Sequence, residues 1–492
     1  MKKLFAIFQL MLAILMLAAC QKQTDCTHEW GEWETVTAAT CVEGSQKRIC
    51  KKCEESETKT IAATGVHAFG EWQTVTEATC QPGERKHTCK ICQQVQTESV
   101  NPNGVHNYVN GACAYCGEKK PTEGLIYSDL GDSYYVLSIG TATDTDIVIP
   151  SIYEGKPVVG IVNEAFVDCE TLTSIFIPSS VTYIGHDAFS GCVGLITEEN
   201  GVYYVDKWVV GAEDGITSAV LRTDTVGVVD YAFADQWLLE IVTLPFGMVT
   251  IGAGAFEDCG KLTSLTIPDS VTTVGVRAFF GCEALWDKEN GVYYVDGWVV
   301  LCDEDIESVT VRAGTIGIAS GAFLACDVKS VIFPEGVTYI GDLVFQECYY
   351  LTNLSIPASV TKIGVGIVLD SSNLKSVVVA NGNSCYHNAG NCLIETATGK
   401  VLWGYGDGVI PDYVKGIAPY AFYNCKSLMS VTIPAGVTYI GTGAFFGCTS
   451  LLEVYNLSSL QIVAGGKDNG YIAYYAMVVH DKAEAESRVF VE

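Results

Sequence analysis

Basic residues are scarce in this 492-residue chain: 29 Lys and Arg stand against 57 Asp and Glu, a formal net charge of −28. The shortage is uneven, because residues 1–120 hold 13 of each sign and leave 16 basic and 44 acidic residues for the rest. A surface this acidic repels phosphate backbones, so nucleic acid is not expected as a partner, whereas cations or basic proteins are favoured. Signatures of catalysis are missing too. There is no Gly-x-Ser-x-Gly, His-Glu-x-x-His, Walker loop or dinucleotide fingerprint, and the expectation is a protein that is not an enzyme. Asp144-Thr145-Asp146 and Asp303-Glu304-Asp305 lack the residue order of a calcium loop. Long apolar runs are absent after the first twenty residues, and Leu4–Leu17 is too short to span a bilayer comfortably. What is plentiful is apolar content, 49% against 17% charged, which excludes a disordered chain and suits extended buried faces.

The N-terminus reads as an export signal. Lys2 and Lys3 precede the apolar run, which ends in Leu17-Ala18-Ala19-Cys20. That tetrad resembles the lipobox of bacterial lipoproteins. The resemblance implies cleavage after residue 19, lipid on Cys20, a short tether over 20–25 and a mature protein anchored at the outer side of the cytoplasmic membrane. Several acyl chains on one residue anchor stably where a single chain does not. An ordinary secretory signal with a chance cysteine is the alternative.

Residues 26–120 repeat with a period of 39, as His28 to His67, Cys41 to Cys80 and Cys50 to Cys89 show. One copy carries His28, Cys41, Cys50 and Cys53; the next carries His67, Cys80, Cys89 and Cys92; a shortened third has His106, Cys113 and Cys116. Thr/Val-rich runs between turn residues predict short strands, ribbon-like. Units this small cannot bury a sufficient core unaided. A Cys-x-x-Cys places two thiolates on one tight turn, as two corners of a zinc tetrahedron require. With Cys26 the segment offers twelve candidate ligands, enough for three closed, structural zinc centres, and the simplest grouping gives each full copy its own Cys3His set. Cys26 would then complete the third copy, unless His28 is not a ligand. Disulfides are the competing reading, since export permits them. No βαβ pattern surrounds a Cys-x-x-Cys, which argues against a thioredoxin-like role. Short His/Cys repeats of this kind resemble those found beside surface-exposed repeat domains of Firmicutes-type proteins.

From residue 125 to about 460 a second period takes over. Phe166, Phe189, Phe233, Phe256, Phe279, Phe323, Phe345, Phe422 and Phe445 share one phase, with Val368 a degenerate member. A Cys follows three residues later at 169, 192, 259, 282, 326, 348, 425 and 448, with Gln236 the exception. Next come Leu-x-x-Ile-x-Ile-Pro, as in Leu172 to Pro178, and Val-Thr-x-Ile-Gly, as in Val181 to Gly185. A fixed period near 23 residues with this strand motif predicts a mainly β solenoid with one strand per coil. Leu172, Ile175 and Ile177 would point inward, Val181 and Ile184 would line the return side, and Gly185 would allow a tight corner. A 90-residue superperiod overlies the coil: Glu199-Asn200-Gly201-Val202 to Asp206 recurs at Glu289 to Asp296, with a looser third copy from Asn391 to Trp403. Asn-Gly before alternating apolar residues predicts hairpins inserted into the coils.

These motifs strongly resemble the BspA-like leucine-rich-repeat family of surface proteins. Ile149 to Val158 looks like its first coil, so 121–160 would be an N-terminal capping coil, 161–460 the solenoid and 461–492 a C-terminal cap or partial coil. The resemblance implies an extracellular protein or glycan as partner and a binding role without catalysis; a passive envelope spacer and a metal-capture protein are the alternatives. The phased cysteines read as buried, reduced core residues. Cys385 and Cys392 are off phase and could pair; Cys302 has no evident partner. Ser174 and Phe176, Ser264 and Thr266, Ser330 and Ile332, Asn353 and Ser355, Ser376 and Val378, Ser430 and Thr432, Glu453 and Tyr455 are expected to face outward, a small polar face with few aromatic anchors. Tyr203, Tyr204, Trp208, Tyr293, Tyr294 and Trp298 either pack the hairpins or form an exposed platform.

Overall fold

The computed structural model describes residues 27–101, 106–109, 111–115, 117–371, 373–481 and 483. The chain divides into two compact units, Met1–Lys119 and Lys120–Glu492. All named elements are strands, and among the described residues no helix is long and apolar enough to cross a membrane.

In the first unit each full His/Cys copy is a three-stranded antiparallel sheet. Glu34–Thr37, Gly44–Ile49 and Ser56–Ile61 form one; Gln73–Thr76, Gly83–Thr88 and Val95–Val100 form the next. The shortened copy keeps a hairpin of Tyr108–Val109 with Ala112–Cys113. A bulge falls at the same phase in both full copies, between Thr35 and Thr37 and between Thr74 and Thr76. Gly44 faces it: a Cβ there would lie 2.5 Å from Ala39 N, so only glycine fits. The core is almost nil. Of the described residues of this unit, the buried hydrophobics are Cys50, Cys89 and Cys113. Arg48 packs over Trp33 at 4.5 Å and Arg85 over Trp72 at 4.8 Å, but these are half-exposed contacts worth little each.

The second unit is a solenoid of coils with two short parallel strands each, not one. The first ladder takes the Leu-x-x-Ile motif, for example Ser218–Val220, Ile241–Thr243 and Ser264–Leu265 in order. The second takes the Val-Thr-x-Ile motif, as in Gly227–Val228, Thr250–Ile251 and Thr273–Val274. Between the ladders the phased phenylalanines are fully buried and stack coil on coil, with centroids 5.1 Å apart for Phe233–Phe256, 5.5 Å for Phe256–Phe279 and 4.9 Å for Phe422–Phe445. Leu172, Ile175, Ile177, Val181 and Ile184 are all buried as their phase predicts.

The corner is built differently from the sequence expectation. Gly185 and its equivalents do not have positive φ; the residues two before and two after each Phe do, such as Tyr231 and Asp235 around Phe233, or Gly254 and Asp258 around Phe256. Glycine is needed at the Val-Thr-x-Ile-Gly position because the coils touch there. A Cβ on Gly185 would lie 2.6 Å from Asn163 N, on Gly252 2.6 Å from Asp230 N and on Gly275 2.3 Å from Ala253 N, in each case backbone of the preceding coil.

The predicted hairpins are three-stranded meanders that open each superperiod: Thr197–Glu199, Val202–Val205 and Trp208–Ala212, then Asp287–Glu289, Val292–Val295 and Trp298–Cys302, then Tyr386–Ala389, Cys392–Glu395 and Lys400–Gly404. Asn200 and Gly201, both at positive φ, make the first tight turn. The last strand of each meander joins the second ladder in parallel, Trp208 opposite Gly227 and Trp298 opposite Gly317, so the ladder restarts at every meander. Past residue 460 the coil continues: Val478–His480 pairs in parallel with Glu453–Asn456, and Ile472, Ala473 and Ala476 are buried.

Candidate functional site

Cys20, Cys26 and Cys116 lie outside the described residues, as does the export segment. The other ten candidate ligands fall into three groups, and these do not follow the copies. Cys41 of the first copy joins His67, Cys89 and Cys92 of the second; Cys80 of the second joins His106 and Cys113 of the third; His28, Cys50 and Cys53 stand together. Ligand atoms within each group lie within 4.8 Å of one another. The structure thus brings Cys41 and Cys80 beside the ligands of the following copy, not those of their own, as the simplest grouping had it, and Cys80 stands in the third copy's group, one place that Cys26 could have taken. Sequence phase could not show this, because the middle cysteine sits on a loop whose partner depends on how two copies stack.

Each group is built from the same local devices. The Cys-x-x-Cys turn is closed by Cys50 N–H donating to Glu55 O at 2.8 Å and by Glu54, at φ 59°, donating back to Cys50 O at 3.0 Å. Gln93 and Gly117 repeat that positive φ. Lys52 N–H donates to Cys50 Sγ at 3.4 Å. Burial raises the Cys50 thiol, but the N–H groups of Lys52 and Cys53, with His28, bring it down to about 6. At Cys89 the Cys92 N–H is the strongest influence and brings the thiol down to about 5 against burial, while burial and the facing thiols push Cys41 up to about 11. His28 Nδ1 is 3.3 Å from Cys53 Sγ and His67 Nδ1 is 3.3 Å from Cys92 Sγ. Cys41 Sγ is 3.5 Å from Cys89 Sγ and Cys80 Sγ is 3.6 Å from Cys113 Sγ. The far ring nitrogen of His28 meets Glu55 at 3.3 Å and that of His106 meets Glu118 at 3.4 Å, the carboxylate–histidine pairing that orients a ligand ring. His87 is different: it is stacked on Trp72 at 3.7 Å and Phe69 at 4.2 Å and belongs to the packing.

The solenoid cysteines have a task that phase alone did not reveal. Cys192 Sγ donates to Phe166 O at 2.8 Å, Cys259 to Phe233 O at 3.0 Å, Cys282 to Phe256 O at 3.0 Å, Cys348 to Phe323 O at 2.9 Å and Cys448 to Phe422 O at 3.0 Å. Each thiol thus satisfies the buried carbonyl of the Phe one coil back. Ser371 does the same for Phe345 O at 2.5 Å. Where the coil behind opens with a meander the pattern changes. Cys326 is not reduced but disulfide-bonded to Cys302, the residue for which no partner was foreseen. Gln236, at the matching place one superperiod earlier, accepts instead from Gly215 N–H at 3.1 Å. Cys385 and Cys392 do not pair, and Cys169 and Cys425 are only half-buried.

The meander aromatics pack rather than forming a platform: Tyr204, Trp208, Tyr294 and Trp298 are fully buried, and Tyr203 and Tyr293 half-buried. Arg222 lies over Tyr204 at 3.8 Å and Arg312 over Tyr294 at 4.0 Å, tying each meander to its next coil. The outward positions of the first ladder are exposed or half-buried as expected. Sequence reading missed the apolar side chains added by one coil. Trp237 (72% exposed), Ile241 and Phe246 (83% exposed) stand within ten residues of sequence, and Val220, exposed on the coil before, lies opposite Thr243 of their strand. The residues in phase one superperiod later are Asp327 for Trp237 and Glu335 for Phe246, so the coil itself does not call for aromatics here.

No curated protein matches the chain. Among solved structures, it is similar to the pneumococcal vaccine antigen PcpA (18% identity over 53% of this chain and 72% of that one, TM-score 0.30). It is also similar to a leucine-rich cell surface protein from Faecalibacterium prausnitzii (19%, 72% and 94%, TM-score 0.27) and a leucine-rich-repeat protein from Bacteroides ovatus (20%, 68% and 93%, TM-score 0.22). The model of the BspA-type leucine-rich-repeat region matches six copies, over residues 159–285, 300–396 and 407–465. Those matches cover more than half of the sequence, and the chain belongs to the BspA-type leucine-rich-repeat family.

Proposed function

We propose that this chain is a lipid-anchored surface protein whose solenoid binds an extracellular protein, without catalysis, and whose His/Cys repeats are a zinc-stapled stalk between anchor and solenoid. The observation that carries the binding role is the set of exposed apolar side chains Val220, Trp237, Ile241 and Phe246 on two successive coils. Large aromatics left exposed at positions where the fold accepts Asp or Glu are free for a partner, and Trp is the residue most enriched in interface hot spots. The acidic solenoid around them favours a partner with basic surface. The anchor rests on the Leu17-Ala18-Ala19-Cys20 tetrad, the stalk on the three Cys/His groups.

The test is a binding screen of the full chain against host matrix proteins and immobilised glycans. Saturable binding to a protein, weakened at least tenfold by the double substitution Trp237→Ala, Phe246→Ala with the melting temperature unchanged, is the expected result. Absence of saturable binding across the panel would support a passive spacer. Labelling with a radioactive fatty acid, lost in Cys20→Ser, tests the anchor separately.

A further inference from the structure

We propose that two of the three metal centres of the stalk are shared between neighbouring repeats, so that each of these two zinc ions is the joint between two copies: Cys41 reaches forward to the centre made by His67, Cys89 and Cys92, and Cys80 reaches forward to that of His106 and Cys113. This rests on the zinc reading above and deepens it.

Three observations carry the inference. The first is geometric. In a tetrahedral centre with Zn–S near 2.3 Å, neighbouring sulfurs stand roughly 3.8 Å apart. Cys41 and Cys89 are 3.5 Å apart, His67 Nδ1 and Cys92 Sγ 3.3 Å, and the four donor atoms all lie within 4.8 Å. Three thiols and one imidazole are the donor set of a closed structural zinc site. The second is the use of all four groups. A Cys41–Cys89 disulfide would employ two of them and give no task to the His67–Cys92 contact or to the turn that presents Cys92. The third is the missing core. With Cys50, Cys89 and Cys113 the buried hydrophobics of the described part of this unit, apolar packing does not hold one small sheet to the next. A cross-copy ligand does, and each thiol loses its proton to solvent as it takes the metal.

The experiment measures zinc per chain on the full chain, purified reduced with zinc and washed with a moderate chelator. The parent should hold three ions. Cys41→Ser and Cys89→Ser should each remove one, and their double variant the same one; Cys41→Ser with Cys50→Ser should remove two. Cys41→His, which keeps a ligand, should retain all three and, with Co(II) in place of zinc, lose part of the thiolate charge-transfer band. If instead Cys41→Ser with Cys50→Ser removes one ion and Cys41→Ser with Cys89→Ser removes two, each copy holds its own metal and the shared joint is wrong while the zinc reading stands. A chain with no zinc and Cys41 oxidised to Cys89 overturns both.

Discussion

A buried thiol that donates to a carbonyl one coil back can be replaced by a hydroxyl, and the chain has made that replacement itself at Ser371. Cys259→Ser should therefore shift the urea midpoint little, whereas Cys259→Ala leaves Phe233 O with only the longer 3.4 Å bond from Gln236 N–H and should cost about 1 kcal/mol. Burial pushes Cys259, Cys348 and Cys448 up to about 12, so these thiols should resist a thiol-specific reagent at pH 8 in the native state and react on unfolding. Phase in the sequence was enough to find these cysteines and place them inside. It could not show the acceptor, a main-chain atom some 26 residues away that becomes a neighbour only when coils stack. Asp230 was not singled out at all. It is 8% exposed, and burial raises its carboxyl from 3.8 to about 6 even though Ala253 N–H supports the charged form at 2.7 Å. The folded chain keeps a proton that the unfolded chain releases between those values, so stability falls as pH rises through about 4 to 6. Asp230→Asn keeps the acceptor and removes the charge; it should stabilise the solenoid by on the order of 2 kcal/mol at pH 7 and by little at pH 4, read from thermal midpoints.

At the scale of the coil, glycines divide into those that turn the chain and those that let it be touched. Gly247 has φ +97° with nothing within 4 Å of a would-be Cβ, whereas Gly252 lies against the backbone of the coil behind. Gly252→Ala should destabilise by about 1–3 kcal/mol through overpacking, and Gly247→Ala by about 1 kcal/mol through backbone strain. Comparing the two urea midpoints separates these causes. The sequence showed that a glycine recurs after Val-Thr-x-Ile but not which of the two duties it has, because a corner and a close contact leave the same letter. The meanders were more legible, since Asn200-Gly201 dictates its turn locally. Their effect on the ladder was not, because Trp208 finds Gly227 only across the stack. The same limit hid the ligand grouping: the letters of each copy are complete in themselves, and the crossing of Cys41 to the next copy is decided by packing.

Two units with different sources of stability should come apart separately. The solenoid is held by stacked phenylalanines and parallel ladders, whereas the first unit buries almost no core and, on the zinc reading proposed above, depends on its Cys/His groups. Strong chelation should move the emission of Trp30, Trp33 and Trp72 toward that of solvated indole while the melting transition of the solenoid stays in place; a matching drop in both would show that the stalk stabilises the solenoid. The forward reach of one cysteine per copy also bears on how the number of copies can change. Cutting out any 39 consecutive residues between the first and second copies joins a His from one side to a Cys-x-x-Cys from the other and leaves a middle cysteine to serve the copy that follows. One centre disappears and no ligand is stranded. Duplication works the same way in reverse, so recombination within this repeat can add or remove whole copies without a second mutation to repair the ligand sets.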